Sequence, residues 1–284
     1  MKERGPGDPF NERLEWDRDG QYYHYLTKWM HALNRVTKVT GDSTYNRWAI
    51  ELARGVHAKF VYVPFSGGQK RMYWKMSIDL SSPLVSSMGL HDPLDGLVTY
   101  SQLQATAAEE PKRLSGDLRV EILDMTTMCR GKSWATDDPL GIGGLLSDAF
   151  RVAQLMVKGY LTRTGLLGAL LEASLKGLKA FGREDSLNFP ADSRLAFREL
   201  GLSIGLGALE RLPGLVERNE NTFAREHDLR VWMNALKHYG ALKEAIDQFW
   251  LRDGNRAAES WMAHRDINMV MLAASLSPDG YLRL

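Results

Sequence analysis

Hydrophobic positions recur along most of this chain at steps of three and four, which is the period of an α-helix with one apolar face. Over residues 21–39 the apolar positions are Tyr22, Tyr25, Leu26, Trp29, Met30, Leu33 and Val36. The stretch "TGDS" at 40–43 breaks the pattern, and Asp42 or Ser43 can cap a following helix because its side-chain oxygen can accept from a free N–H group. The sequence therefore predicts an antiparallel pair of helices joined by a short turn.

Further helical pairs follow along the chain. They are predicted at roughly 93–108 with 115–130, 139–158 with 164–181, and 191–211 with 222–238, and the C-terminal part predicts one more pair. Strand patterns are scarce, and the clearest one, at 67–83, lies in a connection over 64–90 that we expect to be extended or a hairpin. Residues 1–18 are expected to be an extended N-terminal segment. These patterns predict a single all-α domain over 1–284.

Several helices are expected to begin with a polar cluster and to continue almost wholly apolar. The stretches "LHDPLDGL" and "TDDPLGIGG" share an Asp-Pro-Leu start closely followed by glycine, at Asp92 and Asp138. Aspartate can cap the free N–H groups of a helix start, and proline is tolerated in the first turn, so both residues are predicted to be caps. Asp19, before Gly20, is predicted to cap the first helix. Helices that are apolar all round must be buried, which favours an inner ring of helices inside an outer one.

Three stretches, "DGQYYHYLTKWMHAL", "HDPLDGL" and "HRDINMVML", resemble motifs of an uncharacterised bacterial branch of the six-hairpin glycosidase-like superfamily. The resemblance covers nearly the whole chain and is specific for fold rather than activity. It implies an (α/α)6 toroid, and that superfamily includes glycoside hydrolases and sugar epimerases of the N-acylglucosamine 2-epimerase kind. A full toroid has twelve helices, and the pattern predicts about ten or eleven here. We therefore expect a toroid lacking its N-terminal helix, or an incomplete ring.

Composition excludes several classes of protein. Hydrophobic residues make up 44% and charged residues 25% of the chain, and the formal net charge is +1 without a basic block, so we expect no nucleic-acid partner. The lone Cys129 excludes an internal disulfide and a multi-cysteine metal site, and it suits a reducing, cytoplasmic compartment. The apolar run at 165–178 is too short and too charged to span a membrane. Without a metal motif, neither a metal nor a cofactor is expected, and the oligomeric state is left open.

The resemblance to glycosidases implies a pair of catalytic carboxyl groups. A glycosidase places two carboxyl groups beside the scissile bond, one as acid and one as base or nucleophile. The candidate catalytic residues are Asp17, Asp79, Asp95 and Asp266. We favour Asp95 or Asp79 as the acid and Asp17 as the base. Asp79 lies in the long connection, where loops of a helical scaffold commonly carry specificity.

Aromatic rings and polar side chains at the helix starts suit a sugar or oligosaccharide, because rings stack on C–H faces while hydroxyl groups need polar partners. The candidate substrate contacts are His24, Tyr22, Tyr23, Trp74, His91, Asp92, His264 and Arg265. Two alternatives stay open. A sugar epimerase would use His24, His91 or His264 for proton transfer. A non-catalytic toroid would bind a glycan or a protein with the same residues.

Overall fold

The computed structural model describes residues 4–5, 7–85, 87–109, 117–162, 165–183, 186–226 and 228–284, and it does not describe the side chains of Glu12, Trp16 and Asp17. The protein is mostly helical, which confirms the predicted all-α class. The helices are α1 (Glu12–Asp17), α2 (Tyr23–Thr40), α3 (Thr44–Phe60), α4 (Asp92–Ala108), α5 (Arg119–Met128), α6 (Pro139–Val157), α7 (Leu166–Phe181), α8 (Ala196–Arg218), α9 (Glu220–Phe223), α10 (Leu229–Lys237), α11 (Ala241–Leu251), α12 (Asp253–Arg256), α13 (Glu259–Met262), α14 (Arg265–Leu276) and α15 (Asp279–Leu282). The strands are β1 (Gln21–Tyr22), β2 (Val61–Tyr62), β3 (Arg71–Met72), β4 (Lys75–Met76) and β5 (Pro83–Val85).

The chain divides into two compact units, Met1–Lys132 and Ser133–Leu284, and the single domain over 1–284 stays a prediction. In the first unit, α2 and α3 form the predicted antiparallel hairpin. Gly41 ends α2 with a φ of 75°, and the Asp42 side chain accepts a hydrogen bond from the Thr44 N–H at 2.9 Å. Helix α4 packs on both α2 and α3, and α5 packs on α4. The predicted connection contributes β3, β4 and β5 to two small antiparallel sheets, ordered β1-β4-β5 and β2-β3.

The beginning of the chain differs from the prediction. Glu12–Asp17 is a short helix inside the segment expected to be extended, and Asn11 caps it by accepting from the Leu14 N–H. Gln21 and Tyr22 pair with β4, so α2 begins only at Tyr23. Asp19 therefore precedes the helix by several residues and does not cap it.

Helix α2 buries a polar face. The apolar period correctly predicted a helix, but Tyr25, Trp29, Val36 and Val39 are exposed, and the buried positions include Thr27, His31, Asn34 and Thr37. Apolar side chains are not confined to the interior, so a helical period does not by itself say which face is covered.

Amide side chains from three helices satisfy one another beneath this face. Asn34 donates to Asn46 and to Thr106 at 2.8 Å each, and Gln102 donates to Asn34 at 2.5 Å. His31 Nδ1 lies 2.9 Å from the Gln102 amide oxygen and donates to it, because that oxygen can only accept. The network joins α2, α3 and α4 without leaving these buried amides unpaired.

In the second unit, α8 is the central helix, and α6, α10, α11 and α14 pack against it. Glycines bring α6 and α8 together: a Cβ on Gly143 would lie 2.0 Å from the Gly201 carbonyl oxygen. Asp138 is the N-cap of α6 and accepts from the Leu140 N–H, which confirms the predicted cap. Among the described residues, α6 is the one helix long and apolar enough to cross a membrane, and most of it is buried in the protein.

Candidate functional site

The Asp92 carboxyl is buried at the first turn of α4. His91, not Asp92, is the N-cap, because the His91 carbonyl accepts the first helical hydrogen bonds, from the N–H groups of Leu94 and Asp95 at 2.9 Å. Asp92 is 6% exposed and approaches the backbone of Gly89 so closely that a Cβ at position 89 would lie 2.2 Å from its Oδ2. The predicted capping role of Asp92 is therefore wrong, and glycine is needed at 89 to admit the carboxyl.

One oxygen of this carboxyl has no partner. Among the described residues, Asp92 Oδ2 makes no hydrogen bond. Burial raises the pKa of Asp92 to about 7, and the neighbouring Asp95 carboxylate adds to the rise, while Lys28, Lys132 and the Gly89 N–H oppose it. A buried carboxyl that is not fully paired takes up a proton rather than remain charged. Asp92 is thus a carboxylic acid that holds its proton close to neutral pH.

Asp95 lies beside it and is paired with a lysine. Asp95 follows Asp92 by three residues on α4, so both lie on neighbouring parts of the same helix face. The Lys28 ammonium on α2 donates to Asp95 Oδ1 at 3.0 Å. An ammonium at this distance favours the ionised form. The surroundings of the two carboxyl groups therefore differ: Asp92 is buried, and Asp95 is paired with Lys28.

Tyrosines pack under the two carboxyl groups. The Tyr23 hydroxyl donates to the Tyr100 hydroxyl at 2.9 Å, and both rings are buried. Burial raises the pKa of Tyr23 well above its usual value, with contributions from Tyr100, Asp92 and Asp95, so Tyr23 stays protonated. A Cβ on Gly96 would lie 2.4 Å from the Tyr23 hydroxyl, so glycine at this position admits the hydroxyl to α4.

Aromatic rings extend from this point along the start of α2. The Tyr22 ring centroid lies 5.2 Å from that of Trp74, 5.6 Å from that of His24 and 5.3 Å from that of Tyr25. The Lys75 ammonium is 4.9 Å from the Tyr22 ring. Burial lowers the pKa of His24, although Asp95 opposes the effect, so the imidazole is mostly neutral at pH 7. The predicted contacts Tyr22, His24 and Trp74 thus form one aromatic group.

Asp79 lies in a turn and is fully ionised. The Ser77 hydroxyl donates to its Oδ1 at 2.7 Å and the Ser81 N–H donates to the same oxygen at 3.0 Å. These bonds, the Ser77 and Ser81 side chains first, lower the pKa of Asp79 to about 2. A carboxyl of this kind stabilises a turn and carries no proton to donate at neutral pH.

The remaining predicted residues fall elsewhere or outside the description. The side chain of Asp17 lies outside the described part of the protein. His264, Arg265 and Asp266 belong to the second unit, at the exposed start of α14, where the His264 ring packs edge-on against Phe197 at 5.4 Å. Their predicted roles, like that of Asp17, stay predictions.

Sequence reasoning missed two lysines of the site. Lys28 has a weak signal, since it stands one turn after His24 on a helix whose start was already a candidate. Lys132 has none, because it follows α5 and comes close to Asp92 only through the return of that helix. Pairing of distant segments of this kind is not encoded in a local pattern.

Two further features of the structure bear on the chemistry. Within the described ranges, no group of three or more His, Cys, Asp and Glu side chains could hold a metal ion. The second unit contains a groove of about 790 Å³ between α8 and α10, and the residues that line it include the apolar Leu209 and Val216 and the charged Glu210 and Glu217. It contains none of the predicted site residues.

No protein-family profile, no curated protein and no solved structure matches this chain.

Proposed function

We propose that this protein is a carbohydrate-active enzyme of the glycoside hydrolase kind, in which Asp92 protonates the glycosidic oxygen. The observation that carries the proposal is the buried Asp92 carboxyl, which caps no helix, has one oxygen without a hydrogen bond among the described residues and has a pKa of about 7. Protonation of a sugar leaving group requires a carboxylic acid that is still protonated near neutral pH. Asp79 and Asp95, favoured as the acid from sequence, are less suited because one is fixed in a turn and the other is bonded to Lys28.

Asp95 takes the role of the second carboxylate. Residues three apart on a helix have Cβ atoms roughly 5–6 Å apart, which is near the carboxyl separation of retaining glycosidases. Asp95 is paired with Lys28, and its carboxylate would stabilise the positive charge that develops on the sugar ring. Asp17 remains a candidate base.

The sugar would lie on the aromatic group of Tyr22 and Trp74, which offers faces for C–H surfaces. We also propose that the helical hairpins form an (α/α)6 toroid. Its support is that antiparallel hairpins recur within each unit, as α2 with α3 and α6 with α7. The protein would act in the cytoplasm, and its partner would be a carbohydrate.

The test is hydrolysis of a panel of α- and β-linked aryl glycosides and disaccharides by the full chain. Asp92→Asn should lower kcat about 10²- to 10⁴-fold, the usual contribution of a general acid. The matched control is Asp138→Asn, because Asp138 begins a helix with the same tripeptide, and its kcat should stay within about twofold. A panel that the wild-type protein leaves uncleaved, or an Asp92→Asn variant as active as the control, would overturn the proposal.

A second candidate function, a sugar epimerase, is favoured by the neutral His24 beside Asp95, because a neutral imidazole can accept a proton from carbon. Reducing sugars incubated in deuterated water would take up deuterium at carbon in this case. The uptake should be lost in His24→Gln and kept in Asp92→Asn.

A further inference from the structure

The hairpin formed by β2 and β3 ends in a turn that holds apolar side chains in water. The Gly67 N–H donates to the Pro64 carbonyl at 2.8 Å, which closes a turn with Phe65 at one of its two corners. Phe65 is fully exposed and is the most exposed large apolar side chain among the described residues. Val63, just before the turn, is 58% exposed. The tip of the hairpin therefore offers apolar surface to a partner that can cover it.

The turn is fixed to the first unit at both ends. Strand β2 follows α3 directly, without a connecting loop. On the other side, the Lys70 ammonium donates to the Asp124 carboxylate at 2.6 Å, and the Gln69 amide donates to the Thr127 carbonyl, so the segment before β3 is bonded to α5. A turn fixed in this way is preorganised, and binding through it costs little additional ordering.

Behind the tip, the hairpin carries two tyrosines and an arginine on one face. Tyr62 lies directly opposite Arg71 across the two strands, so these two side chains share a face. The Tyr62 ring stacks on the Tyr73 ring with 4.3 Å between their centroids. Both tyrosines are partly exposed and Arg71 is exposed, whereas Met72, on the other face, is buried. Away from the tip, the hairpin thus changes from apolar side chains to amphipathic rings and a cation.

The sequence around the hairpin is positively charged. Residues 52–78 include no Asp or Glu and five cations, which are Arg54, Lys59, Lys70, Arg71 and Lys75. The formal net charge of the whole chain is only +1, so positive charge is concentrated in this segment. Lys75 is buried and Lys70 is paired with Asp124, whereas Lys59 and Arg71 are exposed. Exposed cations in a segment without acids fit an anionic partner.

The small size of the apolar tip favours a lipid surface over a protein as this partner. Val63 and Phe65 together offer on the order of 300 Å² of apolar area, well below the roughly 800 Å² that each partner buries in a stable protein complex. A bilayer can be bound with less, because an apolar side chain enters the acyl boundary, tyrosines lie at the headgroups and cations attract anionic lipids. The side chains of the hairpin follow this order.

We propose that the β2–β3 hairpin docks on an anionic lipid bilayer, with Phe65 and Val63 inserted at the boundary between headgroups and acyl chains and with Lys59 and Arg71 attracted to the headgroups. Contact of this kind lies on the surface of the bilayer and needs no helix that spans it. The cytoplasmic leaflet of a membrane carries the required negative charge. One apolar tip with few cations gives weak and reversible binding.

The first test is co-sedimentation of the full chain with vesicles of phosphatidylcholine alone and of phosphatidylcholine with about 30% phosphatidylserine, in about 0.1 M salt. The chain should bind the anionic vesicles at least about tenfold more tightly than the neutral ones. Raising the salt to about 0.5 M should weaken this binding at least about fivefold, because the attraction between exposed charges is screened. Equal binding to both kinds of vesicle, or no binding to either, would overturn the proposal.

Substitutions at the hairpin separate its apolar and charged parts. Phe65→Ser should weaken binding to the anionic vesicles at least about tenfold, because a phenylalanine side chain no longer leaves water. Arg71→Gln should weaken it about fivefold, the usual effect of one cation near an anionic surface. The matched controls are Phe189→Ser and Arg252→Gln, which replace exposed residues of the second unit. Each control should stay within about twofold of the wild-type protein.

A fluorescent label reports insertion directly. Phe65→Cys can be labelled selectively with an environment-sensitive dye, because Cys129, the single cysteine of the chain, is buried. Emission from the label should rise on addition of anionic vesicles, and a label on Phe189→Cys should not respond. An unchanged emission at position 65, or a Phe65→Ser variant that binds like Phe189→Ser, would show that the tip does not enter the bilayer and would overturn the proposal.

Membrane binding and the proposed hydrolysis can fail separately. Asp92→Asn should bind anionic vesicles as the wild-type protein does, because the Asp92 carboxyl is buried and is not part of the hairpin. Phe65→Ser should hydrolyse a soluble glycoside at the wild-type rate.

Discussion

Two helices of this protein begin with Asp-Pro-Leu, and their aspartates occupy different environments. Asp138 lies outside α6 in an extended conformation, accepts from the Leu140 N–H and forms an ion pair with Arg198 at 3.0 Å. Asp92 lies one residue inside α4, its carboxyl is buried, and one oxygen has no partner among the described residues. The difference is a shift of one residue in where the helical hydrogen bonds begin.

The comparison shows that a capping motif and a buried acid can share one tripeptide. The Asp138 carboxyl is partly exposed and accepts from a backbone N–H, so it stabilises its helix. The Asp92 carboxyl is buried and its Oδ2 makes no hydrogen bond among the described residues, and this burial raises its pKa to about 7. What surrounds the motif, and not the motif, decides its chemistry.

The largest expected effect concerns α6 beyond its Asp-Pro-Leu start, where this helix packs against α8. Gly143→Ala should lower the free energy of unfolding by at least about 3 kcal/mol, because the new Cβ would lie 2.0 Å from a backbone oxygen of α8 that cannot move aside. Gly144→Ala is the control: no atom lies within 4 Å of its Cβ, and it should be neutral or stabilise by up to about 1 kcal/mol. Urea unfolding followed by circular dichroism measures both. Equal effects would mean that α6 and α8 are not in close backbone contact.

The next effect tests the buried acid through pH. The pKa of Asp92 is higher in the folded protein than in the unfolded chain, so the folded protein binds the extra proton between about pH 4 and pH 7 and its stability falls as pH rises through that range. At pH 9, Asp92→Asn should therefore be more stable than the wild-type protein by about 2 kcal/mol, less than the full linkage value because water and side-chain relaxation reduce the penalty.

Asp138→Asn provides the comparison for this pH dependence. Its difference from the wild-type protein should not grow between pH 5 and pH 9, because the Asp138 carboxyl is partly exposed at the start of α6 and not buried. Thermal unfolding at a series of pH values measures the two variants together. A flat profile for Asp92→Asn relative to the wild-type protein would mean that the Asp92 carboxyl is solvated.

The smallest expected effect on stability concerns Asp138 as the N-cap of α6. Asp138→Ala should cost about 1 kcal/mol of stability, the usual value for a lost N-cap, and Asp138→Asn should cost less than about 0.5 kcal/mol because its amide oxygen still accepts. If the Asp92 side chain caps nothing, Asp92→Asn should be no more stable than Asp92→Ala at low pH. Urea unfolding at pH 5 compares the four variants.

The helices could be predicted from sequence because their apolar period is local. The α2–α3 hairpin lies within two or three residues of its predicted bounds, with Asp42 at the turn as expected. The start of α2 was predicted too early because Tyr22 pairs with Lys75, more than fifty residues away. A strand partner at that distance leaves no trace in the period of the helix.

The site could be predicted only in part for the same reason. Polar clusters at two helix starts indicated Asp92, Asp95 and His24, and the structure places all three in the first unit near one another. Which carboxyl holds a proton could not be predicted, because the answer depends on burial and on lysines brought in by other helices. Whether these residues act on a carbohydrate stays a prediction.

The polar face of α2 has a consequence for how this protein can vary. Asn34, Asn46, Gln102 and Thr106 each complete the hydrogen bonds of another, so an apolar substitution at one would leave a buried donor or acceptor unpaired, while joint replacement could be nearly neutral. Among homologous sequences these four positions should therefore change as a set. The exposed rings of Tyr25 and Trp29, on the opposite face, take no part in this hydrogen-bond network, so these two positions should vary independently of each other.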